Sequence, residues 1–547
     1  MIVQKIIAIF IGIEVLALAG CSTAHYRRSA DKETAAIIAQ KGPRVPNMDP
    51  HFTIGTNAPV SLADVPVNRD AAEFMGADSE KERGTPVISL KRALDIAVKH
   101  SRSYQNAKET AYLSALALTL SRHQFTPIFS GSGDGEYAEI YDESSVQRQI
   151  SAGGSIGANW LIRDIGRITA AFTTDFFRFL AGDPHSVISS QLGATFVRPL
   201  LRNAGYKAEI EALTQAERDM LYELRDFVLF RKNFSVQVAT AYYGVLSNRD
   251  TIRNSYLNLQ SSRKAAERGR ALAQEGRLTQ SDLGRLEQQL LTTEATWINA
   301  ARTYKKTLDD FKIQLGIPVE TKLLLDDREL AELKILHPDI NVEDSIRVAL
   351  TARLDYQNIR DEYADSERKI QLAANRFLPQ LDATAAASMT SGSRSGFALP
   401  DPRQYQWSAG ATLNLPLDRK LERNNYRTAL ITRDRVLRAQ TLLADQIALQ
   451  VRESHRSLEQ AKRTYEISEI GVKLAERRVD EQELLAEFGR AKAQDQVDAQ
   501  NDLASSKNQR TQALVSHTIA RLQFWNNMGI LFIKENGQWQ EISETKR

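Results

Sequence analysis

Two hydrophobic periods alternate along this chain. Helical spacing runs from about Leu90 to Gln124 and again from Val342 to Arg376. Each run ends at a proline, Pro127 or Pro379, and the period then drops to two. Leu381, Ala383, Ala385, Ala387 and Met389 alternate with Asp382, Thr384, Ala386, Ser388 and Thr390. On the return, Tyr405, Trp407, Ala409, Ala411, Leu413 and Leu415 alternate with Gln406, Ser408, Gly410, Thr412 and Asn414. Such strands carry one apolar and one mostly polar face, the pattern of a transmembrane barrel wall. A soluble sandwich strand alternates in the same way. Tyr405 and Trp407 at a strand end suit a membrane interface.

The first half repeats this pattern more loosely. Phe129 and Tyr137 flank a Gly-rich alternation, followed by Ile188, Leu192, Ala194 and Phe196. Ile168–Leu180 between them is strand-like, and reads either as an additional hairpin or as an extracellular loop.

Long helices follow the strands. None of the 15 prolines lies between Pro199 and Pro318, and none follows Pro416. Asn203–Glu275 predicts a helix ~110 Å long at 1.5 Å per residue. Gly276 breaks it and Ser281–Leu315 returns, with Leu283, Leu286, Leu290, Trp297, Ala300, Tyr304 and Phe311 forming a seam in steps of three, four or seven. The returning helix and the first helix together match the long one in length, which predicts two short helices stacked end to end beside it. The second half does the same around Gly489.

The two halves are copies of one plan. A shift of 252 residues superimposes Pro86–Phe129 on Pro338–Leu381, with identities at Pro86/Pro338, Ala97/Ala349, Tyr104/Tyr356, Gln105/Gln357, Asn106/Asn358, Phe125/Phe377 and Pro127/Pro379. The offset becomes 217 at Gly193-Ala194-Thr195/Gly410-Ala411-Thr412 and Pro199/Pro416, so the first half holds 35 extra residues between its first helix and its returning strand. It becomes 213 at Gly276-Arg277/Gly489-Arg490, Asp282/Asp495 and Gly316/Gly529. The order of these matches argues for duplication. The expected organisation is a signal segment (1–20), a polar tether or strap (21–85), a first repeat (86–318), a linker (319–337), a second repeat (338–532) and a tail (533–547).

Two hairpins supply about four membrane strands, whereas small membrane barrels have about eight and an open edge cannot face lipid. Unless the insert in the first half adds many strands, a barrel built from this chain closes between copies. The fold class expected is a mixed α/β membrane protein, with a long antiparallel coiled-coil helical barrel and a transmembrane β-barrel shared between protomers.

Composition sharpens the N-terminus. Lys+Arg (71) nearly balances Asp+Glu (68), giving no reason to expect a nucleic-acid partner. The one cysteine, Cys21, follows Lys5 and an apolar stretch from Ile6 to Leu18, the order of an export signal interrupted only by Glu14. Leu18-Ala19-Gly20-Cys21 resembles the lipobox of bacterial lipoproteins, which would make Cys21 an acylated N-terminus and Ser22 an outer-membrane sorting residue. An ordinary signal peptide followed by an unimportant thiol is the alternative.

No reaction chemistry stands out, and neither an enzyme nor a cofactor is expected. The eight histidines show no HExxH spacing. Gly153-Gly154-Ser155-Ile156-Gly157 matches G-x-S-x-G only formally, because a nucleophile elbow needs a strand–turn–helix setting. Asn233-Phe234-Ser235 falls within a predicted helix. Six methionines leave no relay for a soft metal.

The repeat, the helix–hairpin–helix–helix order and two Gly-centred tips, together with the Asn536-Gly537-Gln538-Trp539 tail, resemble the TolC outer-membrane efflux family from Pro86 to about Phe532. The resemblance implies a homotrimer with a 12-stranded barrel and a periplasmic helical tunnel, anchored in outer-membrane lipid and working with a periplasmic adaptor and an inner-membrane transporter. The tips Gly276-Arg277 and Gly489-Arg490 would meet the adaptor; as plain sequence they are helix-reversing turns. Asp495 and Asp498 lie three residues apart on one helical face. Copied around an oligomer they would form carboxylate rings that attract cations. Their D-x-x-D-A spacing resembles the family's closed entrance, with Asp282 as the first-half counterpart. Arg285 stands opposite Asp498, and Ala491 departs from the family's gate arginine. Helix capping is the competing role for these aspartates, most of all for Asp282. No nucleotide-binding loop is present, so a duct of this kind is passive. The rival expectation is a structural coiled-coil lipoprotein that spaces the envelope without conducting.

Overall fold

The computed structural model describes residues 22–55, 59–142, 145–163, 165–180, 186–204, 210–338, 340–392, 399–488, 490 and 492–540. The elements in chain order are α1 (Thr23–Lys41), β1 (Val87–Ile88), α2 (Leu90–His100), α3 (Arg102–His123), β2 (Ile128–Asp142), β3 (Ser145–Ile162), β4 (Gly166–Phe179) and β5 (Ser186–Pro199). Then come α4 (Glu211–Gln274), α5 (Gln280–Leu315), β6 (Leu324–Leu325), α6 (Arg328–Ala331), α7 (Val342–Ala352), α8 (Leu354–Asn375), β7 (Gln380–Thr390), β8 (Tyr405–Asn414), α9 (Lys420–Glu487) and α10 (Ala493–Asn527). Two compact units result.

The first unit takes in the described part of Met1–Lys41 with Tyr112–Glu223 and Ile359–Gln440. Its centre is a single antiparallel sheet in the order β2-β3-β4-β5-β7-β8. Six strands stand where two hairpins would give four. The extra hairpin β3–β4 runs from Ser145 to Phe179, which accounts for the 35-residue surplus of the first half. Of the two readings of the insert around Ile168–Leu180, the additional hairpin is the one observed: β4 pairs with β3 on one side and with β5 on the other. The tether expected to be polar chain begins instead with α1, which buries Ile37, Ile38 and Lys41. Lys41 pairs with Glu217, which also takes Arg122 at 2.7 Å, and Tyr112 donates to Asp31 at 2.6 Å. Asp365, almost fully buried, gathers Arg218, the Tyr222 hydroxyl at 2.7 Å and Arg368 at 2.9 Å. Burial and the hydrogen bond to Asp365 raise the Tyr222 phenol well above its usual range.

The second unit holds Gly42–Ala111, Leu224–Asn358 and the described part of Thr441–Arg547. Each expected first helix is here two helices. Ser101 (φ −63°, ψ 129°) separates α2 from α3, and Arg353 (φ −71°, ψ 128°) separates α7 from α8. The breaks are 252 residues apart, the offset of the repeat. The linker is packed chain: Leu324 and Leu325 pair in parallel with Val87 and Ile88, and Glu329 accepts the Leu90 N–H at 2.9 Å. The buried core includes Ile88, Leu94, Tyr104, Tyr242, Tyr304 and Phe311, with a second cluster around Ile447, Val451, Leu458 and Phe524. The seam predicted on α5 is buried at Leu286, Tyr304 and Phe311.

The strap and tail clasp one another across α4. The Asn47 side chain bonds both backbone groups of Ile533, at 2.7 and 2.8 Å. Arg231 donates to the Asn47 carbonyl at 2.9 Å, and Lys232 to that of Gly529 at 2.8 Å.

Candidate channel wall and candidate gate

Pairing register brings apolar residues to two successive levels on one face of the six strands and mostly small or polar residues to the other face, while the next level of the first face is polar at Thr174 and Ser190. One cross-strand row reads Phe129, Ala158, Ala170, Ala194, Ala387 and Trp407; the next reads Gly131, Ile156, Phe172, Leu192, Met389 and Tyr405. On the opposite face a row reads Ser130, Gly157, Ala171, Gly193, Ser388 and Gln406, and another Ser132, Ser155, Thr173, Gln191 and Thr390. Ser132 and Ser155 share a hydroxyl hydrogen bond at 2.7 Å. Trp407 (70% exposed), Tyr405 (68%) and Ile156 (66%) leave the apolar face uncovered, which water alone would not tolerate over so broad an area. β2 and β8 each lack a partner strand on their outer side among the described residues. The formal G-x-S-x-G segment lies within β3, hydrogen-bonded on both sides, and forms no elbow. Asn233 lies inside α4.

Each tip of the second unit is a helix reversal. Gly276 adopts φ +71°, and the Arg277 N–H closes back on the Leu272 carbonyl at 2.8 Å. The Arg490 N–H makes the matching bond to Leu485 at 2.8 Å. Gly489 and Ala491 lie outside the described residues, as do Cys21 and the signal segment. Arg277 pairs with Glu275 at 3.5 Å, and both are exposed. Arg268 of α4 donates to the Ala486 carbonyl of α9 at 3.0 Å, tying one tip to the other.

The three aspartates are placed differently. Thr279 caps α5, accepting the Asp282 N–H at 3.1 Å while its hydroxyl donates to the Asp282 carboxylate at 2.7 Å. Thr279 is therefore the cap, and the Asp282 carboxylate holds its hydroxyl in place from the first turn. α10 starts after Lys492, whose side chain makes no capping bond, and Asp495 is exposed in its first turn. Asp498 accepts from Gln494 at 2.9 Å. Between them Val497 packs into a small core with Ala266 and Leu286, which fixes the side of α10 that turns inward.

A polar ladder here was not foreseen from sequence. Asp250 accepts from Thr511 at 2.7 Å, Asn254 donates to Asn508 at 2.8 Å, and Asn258 donates to Asn501 at 2.9 Å. These steps of four on α4 run against descending positions on α10, so the two halves are joined by hydrogen bonds in antiparallel register. The spacing Asp250, Asn254, Asn258 was the available signal. On the other side of α10, Arg478 pairs with Asp502 and Gln500 donates to Glu483 at 3.3 Å.

Among the described residues, Asp49, His51 and Glu535 bring ligand-type atoms within 4.8 Å of one another at the strap–tail clasp, in an exposed setting. No helix among them is long and apolar enough to cross a membrane.

No family model and no curated protein matches the sequence. The fold, however, is that of outer-membrane channels. The outer-membrane channel OprN superimposes with a TM-score of 0.59 at 12% identity, over 88% of this chain and 98% of its own. The CmeC outer membrane channel of Campylobacter jejuni gives 0.60 at 13%, over 90% and 96%. CusC, described with transmembrane channel formation, gives 0.60 at 11%, over 86% and 99%.

Proposed function

We propose that this chain is an outer-membrane exit channel, a passive duct of a tripartite efflux or type I secretion system. The observation that carries this reading is the sheet. It has an apolar band on one face, a mostly polar opposite face and, among the described residues, two open edges, a combination stable in lipid only when copies close it into a barrel. The shared fold with outer-membrane channels supports the same reading. In it, three copies assemble, Cys21 is acylated in the outer membrane, and the two tips meet a periplasmic adaptor of an inner-membrane transporter. Asp495 and Asp498 ring the narrow entrance, with Asp282 restricted to supporting the Thr279 helix cap beside it.

Recording from the purified protein in planar bilayers tests the duct: discrete conductance steps are expected, and a non-conducting coiled-coil lipoprotein would give none. The anchor is tested separately, because Cys21→Ser abolishes lipid labelling only if Cys21 is the acylated residue.

A further inference from the structure

We infer that the hairpin β3–β4 is part of the membrane wall, and that it makes the pore wider than the duplicated four-strand plan alone would. The inference rests on the channel reading above and extends it to bore.

Three observations place the hairpin in the wall. It is inserted between β2 and β5, hydrogen-bonded to each along its length, rather than appended to an edge or folded over a face. In its central stretch, 155–160 and 168–173, it follows the alternation of its neighbours: Ala158, Ile156 and Trp160 of β3 and Ala170, Phe172 and Ile168 of β4 join the apolar rows, while Ser155, Asn159, Thr169 and Thr173 join the polar ones. A plug or an extracellular loop has no reason to keep that register. Finally, Ser145–Phe179 is 35 residues long, the size of the surplus and within the stretch where the repeat offset changes, so the duplicated plan without it is a complete four-strand sheet. Because β2 and β5 run antiparallel to each other, removing the hairpin leaves strands that can pair directly.

Barrel diameter grows roughly linearly with strand number. Six strands per chain in place of four widen the bore about 1.5-fold and its cross-section about 2-fold, whatever the number of copies. Three copies would give 18 strands, in the range of wide aqueous pores. The membrane segment then sets no drug-sized limit on cargo, and selection falls to the helical entrance.

Pulsed electron–electron dipolar distances test this on the full chain in lipid nanodiscs. Ser408→Cys in a Cys21→Ser background puts one spin label per copy on the polar face of β8. In a trimer, a wall of six strands per chain predicts a label separation of about 30 Å, and four strands about 20 Å. Deleting 145–179 should shrink the separation to roughly two-thirds. A conducting assembly with unchanged separation after the deletion overturns the wall assignment and leaves the channel reading intact. Should the deleted chain fail to assemble, the full-length separation together with the assembly mass decides: about 30 Å in a trimer supports the inference and about 20 Å overturns it. Absence of assembly and conductance in the full chain would instead sink the channel reading.

Discussion

Gly316 sits against His100 so closely that a Cβ there would collide with the His100 carbonyl oxygen and lie 2.9 Å from the Ser101 nitrogen. Gly316 ends α5 in the left-handed region (φ +80°), with Ile317 closing on Lys312 at 3.1 Å. Gly529 ends α10 at φ +76°, with Ile530 closing on Trp525 at 3.2 Å, and a Cβ there would stand 3.1 Å from the Arg353 nitrogen. Ser101 and Arg353 are the helix breaks, so each half solves one problem in one way. The returning helix stops at a glycine whose missing side chain lets the broken helix pass.

Gly316→Ala should therefore destabilise the protein by about 2 kcal/mol or more, combining the left-handed penalty with a backbone clash. Gly529→Ala should cost less, because its neighbours need give only slightly. Thermal unfolding of both variants measures the difference; equal effects would mean that the close approach at His100 is relieved by movement.

Sequence pattern reached some of these features and missed others for identifiable reasons. β7 and β8 were legible because bulky or methyl-bearing residues mark every second position. β2 and β3 were faint because glycines hold alternate positions, Gly131, Gly133 and Gly135 among them, and a residue without a side chain carries no periodic signal. The breaks at Ser101 and Arg353 were invisible because neither is proline or glycine; what marks each is a tertiary contact, a glycine more than 170 residues away packed against it. α1 was missed because only one edge of it is apolar. Of the candidate gate, Asp495 and Asp498 are singled out by their spacing, whereas the ladder shows in sequence only as the four-residue spacing of Asp250, Asn254 and Asn258 on α4, and its partners on α10 depend on pairing between halves.

Arg249 predicts how firmly the strap is held. Its side chain is 7% exposed and forks onto Glu82 with both bonds at 2.9 Å, while also reaching Tyr304 at 3.0 Å and Asp327 at 3.2 Å. Arg249→Ala strands the Glu82 carboxylate and should cost about 3–5 kcal/mol. Arg249→Lys should recover little, because an ammonium cannot span the fork. Denaturant unfolding and protease cleavage within 60–85 report both; full rescue by lysine would mean that charge alone suffices.

His517 predicts acid sensitivity. It is fully buried, its ring stands 5.9 Å from that of His337, and neither ring nitrogen has a hydrogen-bond partner among the described residues. Burial first, then His337, Arg521 and Lys462, push its pKa down from 6.5 to about 4. As pH falls, the unfolded chain takes the proton before the folded one, so the stability of the neutral ring is full above 6.5 and is lost progressively towards 4. Glu459, held by His337 at 2.7 Å, has a lowered pKa and acts only at the acid end of that range. Melting temperature should fall from pH 6.5 to 5 in the wild-type protein and fall less in His517→Met. Parallel pH profiles would exclude His517 as the cause.

The proposed entrance makes the sharpest functional prediction. Asp495 is exposed at the start of α10, so losing its favourable interaction with the helix N-terminus should cost only about 0.3–1 kcal/mol. Asp498 loses one bond, to Gln494, with similarly small effect. Asp495→Ala with Asp498→Ala should thus fold normally, yet remove the cation preference expected of the proposed channel, because a ring of carboxylates raises the local cation concentration in a narrow aperture. Asp282→Ala should do the reverse, weakening the Thr279 cap by about 1 kcal/mol while leaving selectivity unchanged. Reversal potentials in asymmetric salt read selectivity, and thermal melting reads the cap. A double variant that conducts with unaltered cation preference would remove Asp495 and Asp498 from the entrance and return them to ordinary helix-terminal charges.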